Sequence, residues 1–173
     1  MDLEGRALRV ISVMQEIPEL ADLPIDELKK IPLGWLRESS VRRHGLCIWN
    51  CPYPLRLQDT NPSDVELIKI HPYAITEEWS RYADHILYHE YLHALGFHDH
   101  NSVFREMEAL WPDAGAKGMG SDFTEFLLEK NHKWVMMCTR CGKKWRSVRP
   151  FRDAEWRICP KCDLALEHFA RET

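Results

Sequence analysis

A chain of 173 residues, 45% of them hydrophobic, is long enough to bury one real core and to carry one small appended module. No run approaches the roughly 18 apolar residues of a membrane span, and the opening Met1-Asp2-Leu3-Glu4-Gly5-Arg6 lacks the basic and apolar regions of a secretory leader. We therefore expect a soluble intracellular protein, cytoplasmic or else nucleoid-associated or nuclear, with no membrane partner. The net charge of −4 conceals an asymmetry: residues 1–129 hold 12 Lys+Arg against 22 Asp+Glu, and residues 130–173 hold 11 against 5. An acidic body thus carries a basic tail, and a basic tail suits an anionic partner.

In chain order, Leu3, Ala7, Val10, Ile11 and Met14 fall at helical spacing and predict an amphipathic helix over residues 3–16, stopped by Pro18. A shorter helical turn is expected from Pro24 to Ile31. Residues 39–72 change character, with β-rich runs at Leu46-Cys47-Ile48-Trp49, around Leu55-Arg56-Leu57, and at Val65 to Ile70. These predict a small antiparallel sheet of about three strands. Thr76, followed by Glu77 and Glu78, reads as the N-cap of a helix running through Trp79, Tyr82 and Ile86 to about Leu95. From Ile86 to Phe97 that helix is apolar nearly all round apart from His89, Glu90 and His93, and it should sit at the centre of the domain. Gly96 is its expected stop. Ser102 to Trp111 predicts another amphipathic helix, the three glycines of residues 113–121 a mobile loop or linker, and Asp122 with Glu125 the start of a last helix near Phe123 to Lys130. The expected organisation is α+β: a first domain at 1–112, a linker and connecting helix at 113–132, and a small module at 133–173.

The central helix carries His89-Glu90-Tyr91-Leu92-His93, an HExxH motif. Histidines four apart on a helix lie on one face, one turn apart, where they can share a metal ion. Glu90 then stands where a general base on metal-activated water is needed. Catalytic zinc wants a third protein ligand, and His98, Asp99 and His100 follow directly. Asp99 stands six residues after His93, at metzincin-like spacing with Gly96 between; His100 opens a His-x-x-x-Phe string ending at Phe104. His98, two residues from the glycine, has least chain with which to return. His44, His71, His85, His132 and His168 read as structural or surface residues, with His71 and His85 as candidates for lining the cleft.

Cys138-x-x-Cys141 and Cys159-x-x-Cys162, separated by seventeen residues, have the spacing of a closed four-cysteine zinc ribbon, a structural site. A module this small has too little core to fold alone, so metal should hold it together. Around the knuckles lie Lys143, Lys144, Trp145, Arg146, Arg149, Phe151, Arg152, Trp156 and Arg157, a mixture suited to a phosphate backbone with stackable bases. The alternative is that Trp145 and Trp156 form the ribbon's own core. Cys47 and Cys51 read as buried strand cysteines.

With these residues in view, the chain resembles the SprT-like family of zinc metalloproteases, which includes the Spartan type. The resemblance rests on Gly45-Leu46-Cys47 before the helix, His89-Glu90-x-x-His93, His100-x-x-x-Phe104 and the C-terminal ribbon, over residues 35–165. It implies a zincin-like fold, one catalytic and one structural zinc ion, His100 as third ligand with Asp99 as the alternative, and Glu90 as catalytic base. It also implies cleavage of DNA-bound or DNA-crosslinked proteins, with single-stranded or crosslink-containing DNA as a partner. The rival expectations are an intracellular zinc peptidase without a DNA role and a non-catalytic zinc-containing nucleic-acid-binding protein. An extended substrate would pair with a sheet edge, expected at Val65 to Ile70, and Tyr73, Tyr88 and Tyr91 are the tyrosines considered for the oxyanion.

Overall fold

The computed structural model describes residues 2–50 and 60–171. Helix α1 (Leu3–Gln15) is capped by Asp2, whose carboxylate accepts the Gly5 N–H at 2.9 Å. It buries the stripe Leu3, Ala7, Val10, Ile11 and Met14. A 3-10 turn at Ile25–Lys30 buries Ile25 and Leu28 beside it.

Three strands form a mixed sheet in the order β1-β3-β2. Strand β3 (Val65–Ile70) pairs antiparallel with β2 (Gly45–Trp49) and parallel with β1 (Leu33–Trp35). Two expectations change here. The sheet is mixed, because Leu33–Trp35 joins it in parallel; three residues with a central glycine give no alternating pattern to read. Val65–Ile70 is the central strand, not an edge, which its buried Val65, Ile68 and Ile70 explain. Among the described residues the edges are β1 and β2. The expected strand around Leu55-Arg56-Leu57 lies outside the described residues, as does Cys51.

Helix α2 (Ser80–Ala94), with Trp79 at its N-cap, starts three residues later than the Thr76 signal suggested. The Thr76 hydroxyl donates to Tyr73 O at 3.0 Å and closes the preceding turn Pro72–Ile75 instead. The sequence of α2 is rich in Tyr, His and Asp, each costing up to about 0.7 kcal/mol relative to Ala in a helix. Packing outweighs this: Ile86, Leu87 and Leu92 are buried, each contributing roughly 1.5–3 kcal/mol, along with Tyr82, Tyr88 and Tyr91. A buried ion pair ties α1 to α2, with Arg6 Nη1 at 2.7 Å from Asp84 Oδ1 and 2.6 Å from Ser80 O; Arg9 reaches the same carboxylate.

Helix α3 (Ser102–Ala109) is capped by Asn101, whose Oδ1 accepts the Phe104 N–H. Residues 113–121, expected as a loop, begin helix α4 (Ala114–Asn131), and Asp122 lies inside it, not at its start. Tertiary contacts override the glycine content. The Asp113 carboxylate accepts the Gly115 N–H and is clasped by Arg81 of α2, whose Nε lies at 2.6 Å; Ala116 is fully buried. At Gly120 a Cβ would stand 2.9 Å from the Tyr82 hydroxyl, so this glycine is there for close approach.

The chain forms two compact units, Met1–Ser121 and Asp122–Thr173, the division falling within α4. In the second, β4 (Trp134–Met137) pairs antiparallel with both β5 (Lys144–Ser147) and β6 (Glu167–Ala170), in the order β5-β4-β6. Its small core is Met136, Cys138, Cys159 and Leu166, with Trp145 and Phe151 packed against it. No helix among the described residues is long and apolar enough to cross a membrane.

Candidate metal centre and its cleft

Helix α2 ends by a mechanism that also builds the site. Gly96, at φ +98°, turns the chain; the Phe97 N–H donates to Leu92 O at 3.1 Å and the Gly96 N–H to His93 O at 2.9 Å, the paired bonds of a Schellman cap. The turn brings Phe97 O to 2.7 Å from His93 Nδ1. One helical turn earlier, His89 Nδ1 lies 2.8 Å from Glu108 Oε1 at the end of α3. The third histidine, His100, immediately precedes the cap of α3. The Phe104 ring packs among the three imidazoles, its centroid 4.7–4.9 Å from each.

The donor set bears on what the cluster can hold. A carbonyl and a carboxylate accept, so His89 and His93 each donate from Nδ1, and in the neutral form that a metal ligand requires each presents its Nε2 lone pair. Those two Nε2 atoms are 3.2 Å apart, and His100 Nε2 is 3.0 Å from that of His89. A proton on His100 could bridge to one of the lone pairs but not to both. Facing lone pairs at this distance repel unless a cation lies between them. Zn–N bonds of roughly 2.0–2.1 Å set a tetrahedral edge of about 3.3 Å, close to the observed spacing. His89, His93 and His100 can therefore hold a metal ion, consistent with zinc. Asp99 lines the same cleft but is outside this cluster. His98 is engaged elsewhere, its Nε2 at 2.6 Å from Thr60 Oγ1 and its ring against Trp49.

Glu90 follows His89 on α2 and is buried. Burial raises its carboxyl to about 7, against the pull of His89 and of a hydrogen bond from the Cys47 backbone N–H on β2. Strand and helix approach closely here: a Cβ at Gly45 would sit 2.3 Å from Glu90 Oε1 and 2.6 Å from Ile86 Cγ2. The Cys47 side chain is half-buried at the cleft rather than buried in the sheet. The cleft has a volume of about 570 Å3 and takes in the three histidines, Glu90, β2 from Gly45 to Cys47, and Arg42, Arg43 and Lys117.

Other expected residues lie elsewhere. Tyr88 is buried, donating to Met107 O, and Tyr91 is buried too; Tyr73 donates to Glu38. Among the described residues the tyrosine at the cleft is Tyr82, 2.6 Å from His44 Nδ1. Of the two histidine candidates for the cleft wall, His85 lines it and His71 does not: His71 is buried against the Glu38 carbonyl and the Tyr73 N–H. Burial lowers His85 to about 4, so it is neutral.

Sequence reading missed Glu108 and Lys117. Glu108 accepts from His89 on one oxygen and pairs with the Lys117 ammonium on the other; the hydrogen bond from His89 is the main reason its carboxyl falls to about 2. The signal was present, since Glu108 follows Phe104 by four residues on α3 and Phe104 follows His100 by four in the sequence.

In the second unit, Cys138, Cys141, Cys159 and Cys162 converge, all as free thiols, with Cys141 Sγ and Cys159 Sγ 3.7 Å apart. Zn–S bonds near 2.3 Å imply a tetrahedral edge of about 3.8 Å, so this set also fits zinc. Both knuckles have one construction. The Cys138 N–H donates to Lys143 O and the Cys159 N–H to Leu164 O, and the residue after each second cysteine has positive φ, Gly142 at +70° and Asp163 at +54°. The two tryptophans divide: Trp145 packs on the ribbon core beneath the Lys143 ammonium, and Trp156 is 83% exposed. Compared with protein-family models, curated proteins and solved structures, the chain matches none.

Proposed function

We propose that this protein is a zinc-dependent endopeptidase of SprT-like type. The carrying observation is the convergence of three imidazole Nε2 atoms, two with their Nδ1 protons committed, beside a buried glutamate on the same helix. His89, His93 and His100 would hold the zinc ion, which when bound would supply a Lewis acid able to polarise a peptide carbonyl and acidify water. Glu90, whose proton affinity burial has brought near neutrality, takes a proton from the attacking water and delivers it to the leaving amine. The β2 edge beside Glu90 offers an extended substrate backbone hydrogen bonds with little sequence preference. The Cys47 N–H is already used to hold Glu90, so substrate pairing falls to its neighbours on the strand.

The reading extends to proteins bound or crosslinked to DNA. Its support is the ribbon's cations with the exposed Trp156 next to Arg157, chemistry that suits a phosphate backbone and an unstacked base. The test of the enzyme is Glu90→Gln, which should keep two zinc ions per chain and lose cleavage of a DNA-binding protein. Full activity in that variant ends the reading. Cleavage that is indifferent to single-stranded DNA and to salt leaves a zinc peptidase without the DNA role.

A further inference from the structure

We infer that Glu108 and Lys117 form one positioning unit that fixes His89 for metal binding, Lys117 acting through Glu108. This rests on the proposed metal site at His89, His93 and His100. Glu108 is buried at the end of α3. Its two oxygens have separate partners: Oε1 takes the His89 Nδ1 proton at 2.8 Å, and Oε2 takes the Lys117 ammonium. His85 Nε2, at 3.9 Å from Oε1, is too far for a hydrogen bond.

A buried carboxylate is costly without a counter-charge, and an imidazole that ligates a metal through Nε2 is a neutral ring that provides none. Lys117 supplies the charge on the oxygen that His89 does not use. With Lys117 removed, the carboxylate would turn towards water, release the Nδ1 proton and leave the His89 ring free to rotate. The position of Lys117 is not incidental. It stands in the first turn of α4, held by Ala116 in the core and by the Arg81–Asp113 pair at the head of the helix. The glycine-rich segment 113–121 therefore belongs to the metal site's support, while residues of the ribbon hold their own zinc set.

The test uses the full chain and a chelator titration that reads the zinc held at the histidine site separately from that held by the ribbon thiolates. Glu108→Gln should weaken zinc at the histidine site by roughly 10- to 100-fold. Lys117→Met should weaken it less, Lys117→Arg should restore it, and the double variant should bind no more weakly than Glu108→Gln alone, because the two residues share one route to His89. Glu108→Asp, one methylene short of His89, gives the same answer if Glu108→Gln fails to fold. Unchanged affinity in Glu108→Gln, or losses that simply add in the double variant, would overturn the inference. A wild-type chain that takes up only the ribbon zinc overturns both the inference and the proposed function. A chain that takes up both ions, responds to these substitutions and cleaves nothing refutes the peptidase reading alone.

Discussion

Gly45→Ala is the sharpest single perturbation of the proposed active site. On backbone grounds alone, a glycine-to-alanine change at a compatible position stabilises a protein by about 0.4–1 kcal/mol, because the unfolded chain has fewer conformations to lose. Space dictates the opposite here. The added Cβ would lie 2.3 Å from Glu90 Oε1, 2.9 Å from Glu90 Cδ and 2.6 Å from Ile86 Cγ2, where ordinary contact begins at 3.4 Å. The carboxylate must therefore move by at least 3.4 − 2.3 = 1.1 Å, or β2 must lift off α2. Ile86 closes one way out, and the Cys47 N–H is lost if Glu90 leaves. Overpacking of this kind costs about 1–3 kcal/mol, which exceeds the backbone gain. Displacing a catalytic base by about 1 Å costs on the order of 100-fold in rate. We expect two zinc ions retained, a lower urea midpoint, and turnover of an unfolded protein substrate reduced about 100-fold. A Gly45→Ala chain that is more stable than wild type and equally active would refute the steric argument.

Two further outcomes follow from the packing. Asp84→Ala leaves the Arg6 guanidinium, 5% exposed at its side chain, without its partner, and should cost about 3–5 kcal/mol in chemical denaturation; a loss under 1 kcal/mol would mean that Arg6 reaches water. Asp163→Gly should slow zinc loss from the ribbon to a chelator, since a non-glycine residue at φ +54° carries about 1 kcal/mol of strain that Gly142 avoids in the matching knuckle; faster loss would show that the aspartate is doing something there besides turning the chain.

The legible parts of the chain were those in which local chemistry and tertiary demand agree. The α1 stripe, the Gly96 stop, the amphipathic α3 and the two Cys-x-x-Cys knuckles each follow from period or backbone conformation over a few residues. The illegible parts were those that a distant contact decides. Leu33–Trp35 is a strand only because β3 is there to pair with it in parallel. Thr76 has every local feature of an N-cap, but its hydroxyl is taken by Tyr73 O. Residues 113–121 look like a linker until Tyr82, Arg81 and Glu108 on other elements give Gly120, Asp113 and Lys117 their places. At the metal centre the same division holds: the HExxH pair is a matter of helical period, whereas the choice between Asp99 and His100 is not.

The placement of α3 favours His100. Phe104 and Glu108 lie four residues apart on one face of α3, and His100 stands just before the helix cap; the three supply in turn a ring packed among the imidazoles, a carboxylate on His89 Nδ1 and a nitrogen near His89 Nε2. A shift of one residue turns a helix by about 100°. Bringing Asp99 into the position of His100 by such a shift would swing Phe104 out of the imidazole cluster and Glu108 off His89, and would undo the Asn101 cap as well. The six residues between His93 and His100 are too few to absorb the change by looping, because the Schellman turn that uses Gly96 and Phe97 is already fastened to His93. The short connection and the placement of α3 are one constraint, and together they favour the histidine.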